Sequence, residues 1–163
     1  MSVFKTTFSR ALRVIPTDNA VIPSVQDIST GTNTSVVANQ LVNSAGDFVN
    51  LNVAVGDVVY NTTDGTAATV VSVTSATAIV LNANIFAATG KTYVIYQQSA
   101  QTGSGNAGCF LFIGGAGNVA VTTIGGDEVT FNAVPVGTIL PVQVLRVKSS
   151  ASGTSATLIN ALW

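Results

Sequence analysis

The sequence predicts an all-β fold. Val, Thr and Ile number 25, 21 and 10 of 163 residues, and such β-branched side chains suit pleated, half-buried strands. Runs rich in them are separated by tight glycine turns, notably Asp64-Gly65 and Gly125-Gly126, the dipeptides that hairpins favour. A third observation bears on chemistry. The chain has no His, one Cys, six basic and seven acidic side chains. Acid–base and nucleophilic catalysis need positioned groups of those types, so the composition points to a structural or binding protein, not an enzyme.

Residues 1–30 read as an extended N-terminal arm. Phe4, Phe8, Leu12 and Ile15 have helical spacing, but Thr6, Thr7, Val14 and Pro16 oppose a stable helix. Pro16 and Pro23 impose extended or turn geometry around Thr17-Asp18-Asn19.

Residues 31–98 read as a small β-barrel or sandwich module, opened by the polar stretch Ser29-Thr30-Gly31-Thr32-Asn33. Strands are expected at 58–62, 67–73, 78–81 and 92–96. A two-residue type I′ loop at Asp64-Gly65 would pair Thr63 with Thr66. That register sets Tyr60 opposite Thr69 and Val58 opposite Val71.

Residues 99–108 are a linker by composition. Residues 109–163 form a second β unit. Strands are expected at 110–113 and 119–123, broken by Gly114-Gly115-Ala116-Gly117, and at 129–131 beyond Gly125-Gly126. The run 138–148 carries Pro141, which belongs at a bulge or edge. The last run, 157–163, is apolar on both alternating faces. It is expected either as an interior strand or as an edge strand covered by a partner.

The charge is unevenly spread. Residues 1–13 carry Lys5, Arg10 and Arg13 without an acid. Residues 14–90 carry five aspartates without a base, and the rest is nearly neutral. With a net charge of −1, nucleic acid is not an expected partner. Mean hydropathy is +0.52, yet no run approaches the ~20 predominantly apolar residues of a spanning helix, so no membrane partner is expected. The start has no signal-peptide pattern.

Chemical motifs are few. Gly103-Ser104-Gly105-Asn106-Ala107-Gly108 matches the spacing of a dinucleotide fingerprint but precedes a strand where that motif must follow one. Asp127-Glu128 is a pair of neighbours that a strand sends to opposite faces. The other acids lack EF-hand spacing, and zinc lacks its usual ligands. No cofactor and no metal site is expected, with a single weak Ca²⁺ site left open. Asn33-Thr34-Ser35 and Asn61-Thr62-Thr63 match the glycosylation sequon. Tyr60, Tyr93, Tyr96 and Trp163 could stack on sugars, though packing is the expected role for most of them. Cys109, beside Phe110 and Leu111, reads as a small core residue.

Three stretches bear a family resemblance: Phe110-Leu111-Phe112-Ile113-Gly114-Gly115-Ala116-Gly117-Asn118-Val119-Ala120-Val121-Thr122-Thr123-Ile124-Gly125-Gly126-Asp127, Gly137-Thr138-Ile139-Leu140-Pro141-Val142-Gln143-Val144-Leu145-Arg146-Val147, and Ser152-Gly153-Thr154-Ser155-Ala156-Thr157-Leu158-Ile159-Asn160-Ala161-Leu162-Trp163. Together they resemble a C-terminal domain of tailed-bacteriophage virion proteins, such as the head spike-base proteins of gene transfer agents and phage head-decoration proteins. The stretch from Gly46-Asp47-Phe48 to Asp64-Gly65-Thr66 resembles small β modules of phage structural proteins.

The resemblance implies a jelly-roll-like C-terminal β-sandwich, a homo-oligomer (a trimer) and attachment to a virion, with the head surface as its location. It supplies no catalytic residues. The implied partners are a major capsid protein or other virion proteins, with a spike or fibre partner or a host glycan beyond them. On this reading Phe4, Lys5, Phe8, Arg10 and Arg13 dock on the capsid, while Leu162 and Trp163 form the oligomer interface. The alternatives are a carbohydrate-binding adhesin module of a tail or fibre and a tail or baseplate component.

Overall fold

The computed structural model describes residues 8–98 and 108–163. Phe4, Lys5 and nearly all of the 99–108 linker, with its glycine motif, lie outside the described residues. The described chain is all-β, with a single 3₁₀ turn at Ser150–Ser152. It divides into two units. A terminal unit unites residues 8–14 with 108–163, and a middle unit spans residues 15–98.

The middle unit holds β2 (Asp27–Thr32), β3 (Gln40–Val42), β4 (Val58–Asn61), β5 (Thr66–Ser75), β6 (Ala78–Leu81) and β7 (Thr92–Tyr96). They form an antiparallel sheet in the order β2-β7-β4-β5-β6-β3. Just past β2 the chain reaches the opposite edge. Thr34 N donates to Val42 O at 2.8 Å, and Ser35 bridges Val42. The sheet therefore curls back on itself around a core that includes Leu41, Phe48, Val59, Val70, Ile79, Phe86, Tyr93 and Ile95. Phe48 and Phe86 both meet Tyr93 edge-on, with ring centroids 6.1 and 6.5 Å away, a favoured aromatic geometry.

The β4–β5 turn differs from the expected register. Tyr60 lies opposite Ala67 and Val58 opposite Thr69, with Asn61 facing Thr66. The loop has four residues, not two, and the cause is Asn61. Its Oδ1 accepts from Thr63 N at 3.1 Å and Asp64 N at 3.0 Å, and its main-chain carbonyl accepts from Gly65 N at 2.9 Å. An Asx turn thus replaces the tight hairpin. Gly65 still supplies the left-handed conformation, at φ +65°.

The terminal unit holds β1 (Ala11–Arg13), β8 (Cys109–Gly115), β9 (Gly117–Thr123), β10 (Glu128–Val134), β11 (Thr138–Val147) and β12 (Thr157–Leu162). The sheet order is β1-β12-β8-β11-β9-β10. β11 pairs β8 along its first half and β9 along its second, and the register slips between Leu140 and Val144, around Pro141. Proline there loses no ladder bond, and a strand that changes partners at a bulge turns the corner of a barrel or sandwich. The corner opposite lies between β8 and β9, where one residue separates strands on either side of β11. Residues 155–158 run tight against it. A Cβ on Gly117 would meet Ala156 N at 2.5 Å, and one on Gly114 would meet Leu158 O at 2.8 Å. The glycine run is needed for close approach, not only as a strand break.

The expected arm of residues 1–30 is divided between the units: β1 joins the terminal sheet, and β2 the middle one. Between them, Asn19 O accepts from Thr69 Oγ1 and Asn82 Nδ2, while Ala20 and Ile22 are buried. The segment is extended because it lies along a neighbour. Strand β12 takes the interior place, with β8 on one side and β1 on the other.

Gly65 carries backbone strain alone, whereas Gly117, at φ +155°, adds crowding to it. Gly65→Ala, with open space around it, should cost about 1–2 kcal/mol from the left-handed backbone alone. Gly117→Ala should cost about 3 kcal/mol, because backbone must move. Chemical denaturation of both variants measures the difference, and equal losses would contradict the packing at this corner.

Candidate binding face of the terminal unit

Alternation along the strands gives the terminal sheet two apolar faces. Cys109, Leu111, Ile113, Leu140, Val144, Ile159 and Ala161 point into the core and are buried. The opposite face carries Phe110 and Phe112 of β8, Leu158, Asn160 and Leu162 of β12, and Ile139 of β11. The register aligns these into rows. One row is Ile139, Phe112, Asn160 and Arg13; the next is Phe110, Leu162 and Ala11. Phe8 adds its ring to Phe110 at 5.7 Å. Leu158 is 49% exposed and Ile139 45%.

Residues expected to act separately come together here. Ser9 N donates to Trp163 O at 2.7 Å and Trp163 N to Arg10 O at 3.0 Å, so Phe8, Arg10 and Arg13 share one sheet edge with Leu162 and Trp163. Leu162 and Trp163 are half-buried, and β1 of the same chain covers the flank of β12. Arg10 and Arg13 are exposed and make no ion pair among the described residues. Phe110, Phe112, Ile139 and Leu158 were not singled out from sequence. Their signal was present in β8, where both alternating sets are large and apolar.

Beside Phe110 an open groove of about 440 Å³ runs between the β9–β10 turn and the β11 bulge. Ile124, Pro141 and Val142 line it, with Thr123, Asp127 and Gln143 as its polar residues. The turn itself has three residues, Ile124-Gly125-Gly126. Thr123 N donates to Asp127 O at 2.9 Å, and Gly126 takes φ +92°, the usual form of a hairpin closed by a bulge. Asp127 accepts from Thr123 Oγ1 at 3.3 Å, and Glu128 pairs with Lys148.

The fold also segregates charge. Arg10, Arg13, Arg146 and Lys148 lie in the terminal unit against Asp127 and Glu128, whereas the middle unit holds five aspartates and Lys91. The middle unit's polar groups serve its own loops. Asp57 is buried and accepts from Ala54 N and Gln98 N, each at 2.8 Å. Lys91 and then Asn61 donate to Asp64, at 2.8 Å each, and hold its carboxyl below the usual range. Both sequon asparagines, Asn33 and Asn61, are buried with their amides engaged. Tyr60 and Tyr93 are buried, and Tyr60 meets Tyr96 edge-on at 5.2 Å, so these rings do not form an exposed stacking platform. No group of three or more metal-ligating side chains gathers among the described residues. No helix there is long and apolar enough to cross a membrane.

Cys109 is 1% exposed, and burial pushes its thiol up to about 12. The unfolded chain ionises this group from about pH 9 upward while the folded chain does not, so its contribution to stability declines as pH rises between those values. A maleimide at pH 8 should leave the native thiol unlabelled and label it once denaturant unfolds the chain. Rapid native labelling would place Cys109 outside the core.

No family model, curated protein or solved structure matches the chain.

Proposed function

We propose that this chain is a structural component of a tailed-phage virion, a head decoration protein or the base of a head spike or fibre. It works by adhesion, not catalysis. The observation that carries the reading is the outer face of the terminal sheet, where Phe8, Phe110, Phe112, Leu158 and Leu162 form an apolar surface with exposed Arg13 in the same rows and exposed Arg10 on the same sheet edge. A sheet needs one apolar face for its core; a second, rimmed by cations, suits a partner protein. The resemblance of residues 110–163 to virion domains supplies the class of partner, a major capsid protein or another virion protein, and the trimeric state. The sparse charge of the chain fits a surface that is covered in use. A glycan-binding adhesin would be favoured by an exposed aromatic platform, which Tyr60, Tyr93 and Tyr96 do not provide.

Attachment then has two separable parts. Changing Lys5, Arg10 and Arg13 to Gln should weaken incorporation into particles and make it less sensitive to salt, because screening acts on the charges. Changing Phe112 to Ser should weaken incorporation equally at low and high salt, because apolar contact is not screened. Point substitutions are the suitable variants, since removing residues 1–15 would also remove β1. Full particle occupancy by both variants would refute attachment through this face. Electron microscopy of particles carrying a tagged chain separates head from tail placement.

A further inference from the structure

Among the described residues β1 and β10 are the edge strands of the terminal sheet, each with one neighbour, and their hydrogen-bonding phases can be read from those inner partners. On β1, Arg10 exchanges bonds with Trp163, and Val14 N donates to Ile159 O at 2.9 Å. Alternation then turns the main-chain groups of Ala11 and Arg13 outward. On β10, Thr123 N donates to Asp127 O across the turn, and the register continues as Glu128 to Thr122 and Val129 to Val121. The outward main-chain groups there belong to Glu128 and Thr130.

The geometry points to a head-to-tail contact in which β1 of one copy adds antiparallel to β10 of a second copy of this chain. Matching the two outward residues of β1 with the two of β10 sets Arg13 opposite Glu128 and Ala11 opposite Thr130. That register satisfies two further conditions. It sets an arginine that makes no ion pair among the described residues across from Glu128, whose carboxylate also pairs with Lys148 of its own chain, and opposite charges directly across strands stabilise a pair. It also keeps faces consistent. Leu12 faces the core side with Ala161, and Val129 faces it with Val121, so Leu12 would cover Val129, which is 39% exposed in the single chain. Arg10 falls beside Phe131 on that same side, where a guanidinium can lie over the ring. Pairing β1 with another β1 would instead gather Arg10 and Arg13 of both copies. The contact uses different surfaces on the two copies, so it closes into a ring or extends as a filament. It deepens the oligomer in the proposed function, but rests on the edges alone.

The test uses the purified full chain in sedimentation velocity over a concentration series. Wild type should associate beyond a dimer. Arg13→Glu and Glu128→Arg should each raise the association midpoint about ten-fold or more, since like charges then face one another, and the double variant should recover it. Thr130→Pro should block association while leaving circular dichroism and melting unchanged, because that N–H faces away from β9 and edge strands tolerate proline. A monomer at every soluble concentration would overturn the inference. So would a dimer indifferent to Arg13→Glu, which would signal β10 paired with itself. Thr130→Pro and Glu128→Arg change no residue assigned to attachment, so with these two variants particle incorporation is measured independently of association.

Discussion

The pairing of β1 with β12 is the contact on which the rest of the architecture depends. Hydrogen bonds from Ser9, Arg10, Val14 and Trp163 tie the beginning of the chain to its end. Residues 8–14 and 108–163 therefore belong to one unit and residues 15–98 to the other, which makes the middle unit an insertion in the sequence of the terminal one. The pairing also explains why β12 can be apolar on both faces. Flanked by β8 and β1, its main chain is satisfied on both sides, and its outward side chains share a surface with Phe110 and Phe112. Contacts of such large sequence separation form slowly, because loop closure precedes any return from pairing. The terminal unit is thus expected to complete after the middle unit, whose ladders are more local.

Where charge is scarce, buried amides order the loops. Asn33, Asn43 and Asn61 are all buried, and each uses its carbonyl and its NH₂. Asn33 accepts from Lys91 N and donates to Ala88 O, at 2.8 and 2.9 Å. Asn43 accepts from Ala45 N and donates to Tyr93 Oη at 2.9 Å. Asn61 caps its own turn and donates to Ile85 O at 2.7 Å. A satisfied amide costs far less to bury than an ion, and it presents donor and acceptor together. The chain therefore needs few ionic contacts to fix its loops, and its low charge does not imply loose connections.

The local grammar of the sequence was legible. Runs 78–81 and 92–96 are β6 and β7, Pro141 sits at a bulge, and Gly125-Gly126 closes a hairpin. What was hidden depends on groups far away or on a side chain acting as backbone. β1 is three residues whose partner is about 150 positions later, so no local pattern marks it. Ser29-Thr30-Gly31-Thr32 looks like punctuation but lies within β2. A Cβ on Gly31 would meet Tyr93 Oη at 2.8 Å and Asn43 Nδ2 at 2.9 Å, so glycine is there to let that hydrogen bond pass beneath the strand. The Asp64-Gly65 register was misread because Asn61 builds the turn with its side chain. For the binding face, the basic residues and the chain end were visible individually. Their union on one sheet edge was not, because it follows from the β1–β12 pairing.

Open edges on a sheet invite unwanted pairing, and natural sheets blunt them with charge, proline, bulges or brevity. Both edges of the terminal sheet are only partly blunted. β1 is short and carries Arg13. β10 is bulged between Phe131 and Val134 and is followed by Pro135, yet its central residues carry no such device. The outer face and the edges point in different directions. The face lies normal to the sheet, whereas edge pairing extends the sheet in its own plane. A copy joined to its neighbours through β1 and β10 would still present Phe112 and Leu158 outward, and each added copy would extend the same apolar surface. Association and attachment share Arg10 and Arg13 on β1, whereas Phe112 and Leu158 serve the face alone and Glu128 and Thr130 the edge alone. An assembly of this kind binds a repetitive surface through many modest contacts, so its avidity can exceed that of any single face without a new type of interaction.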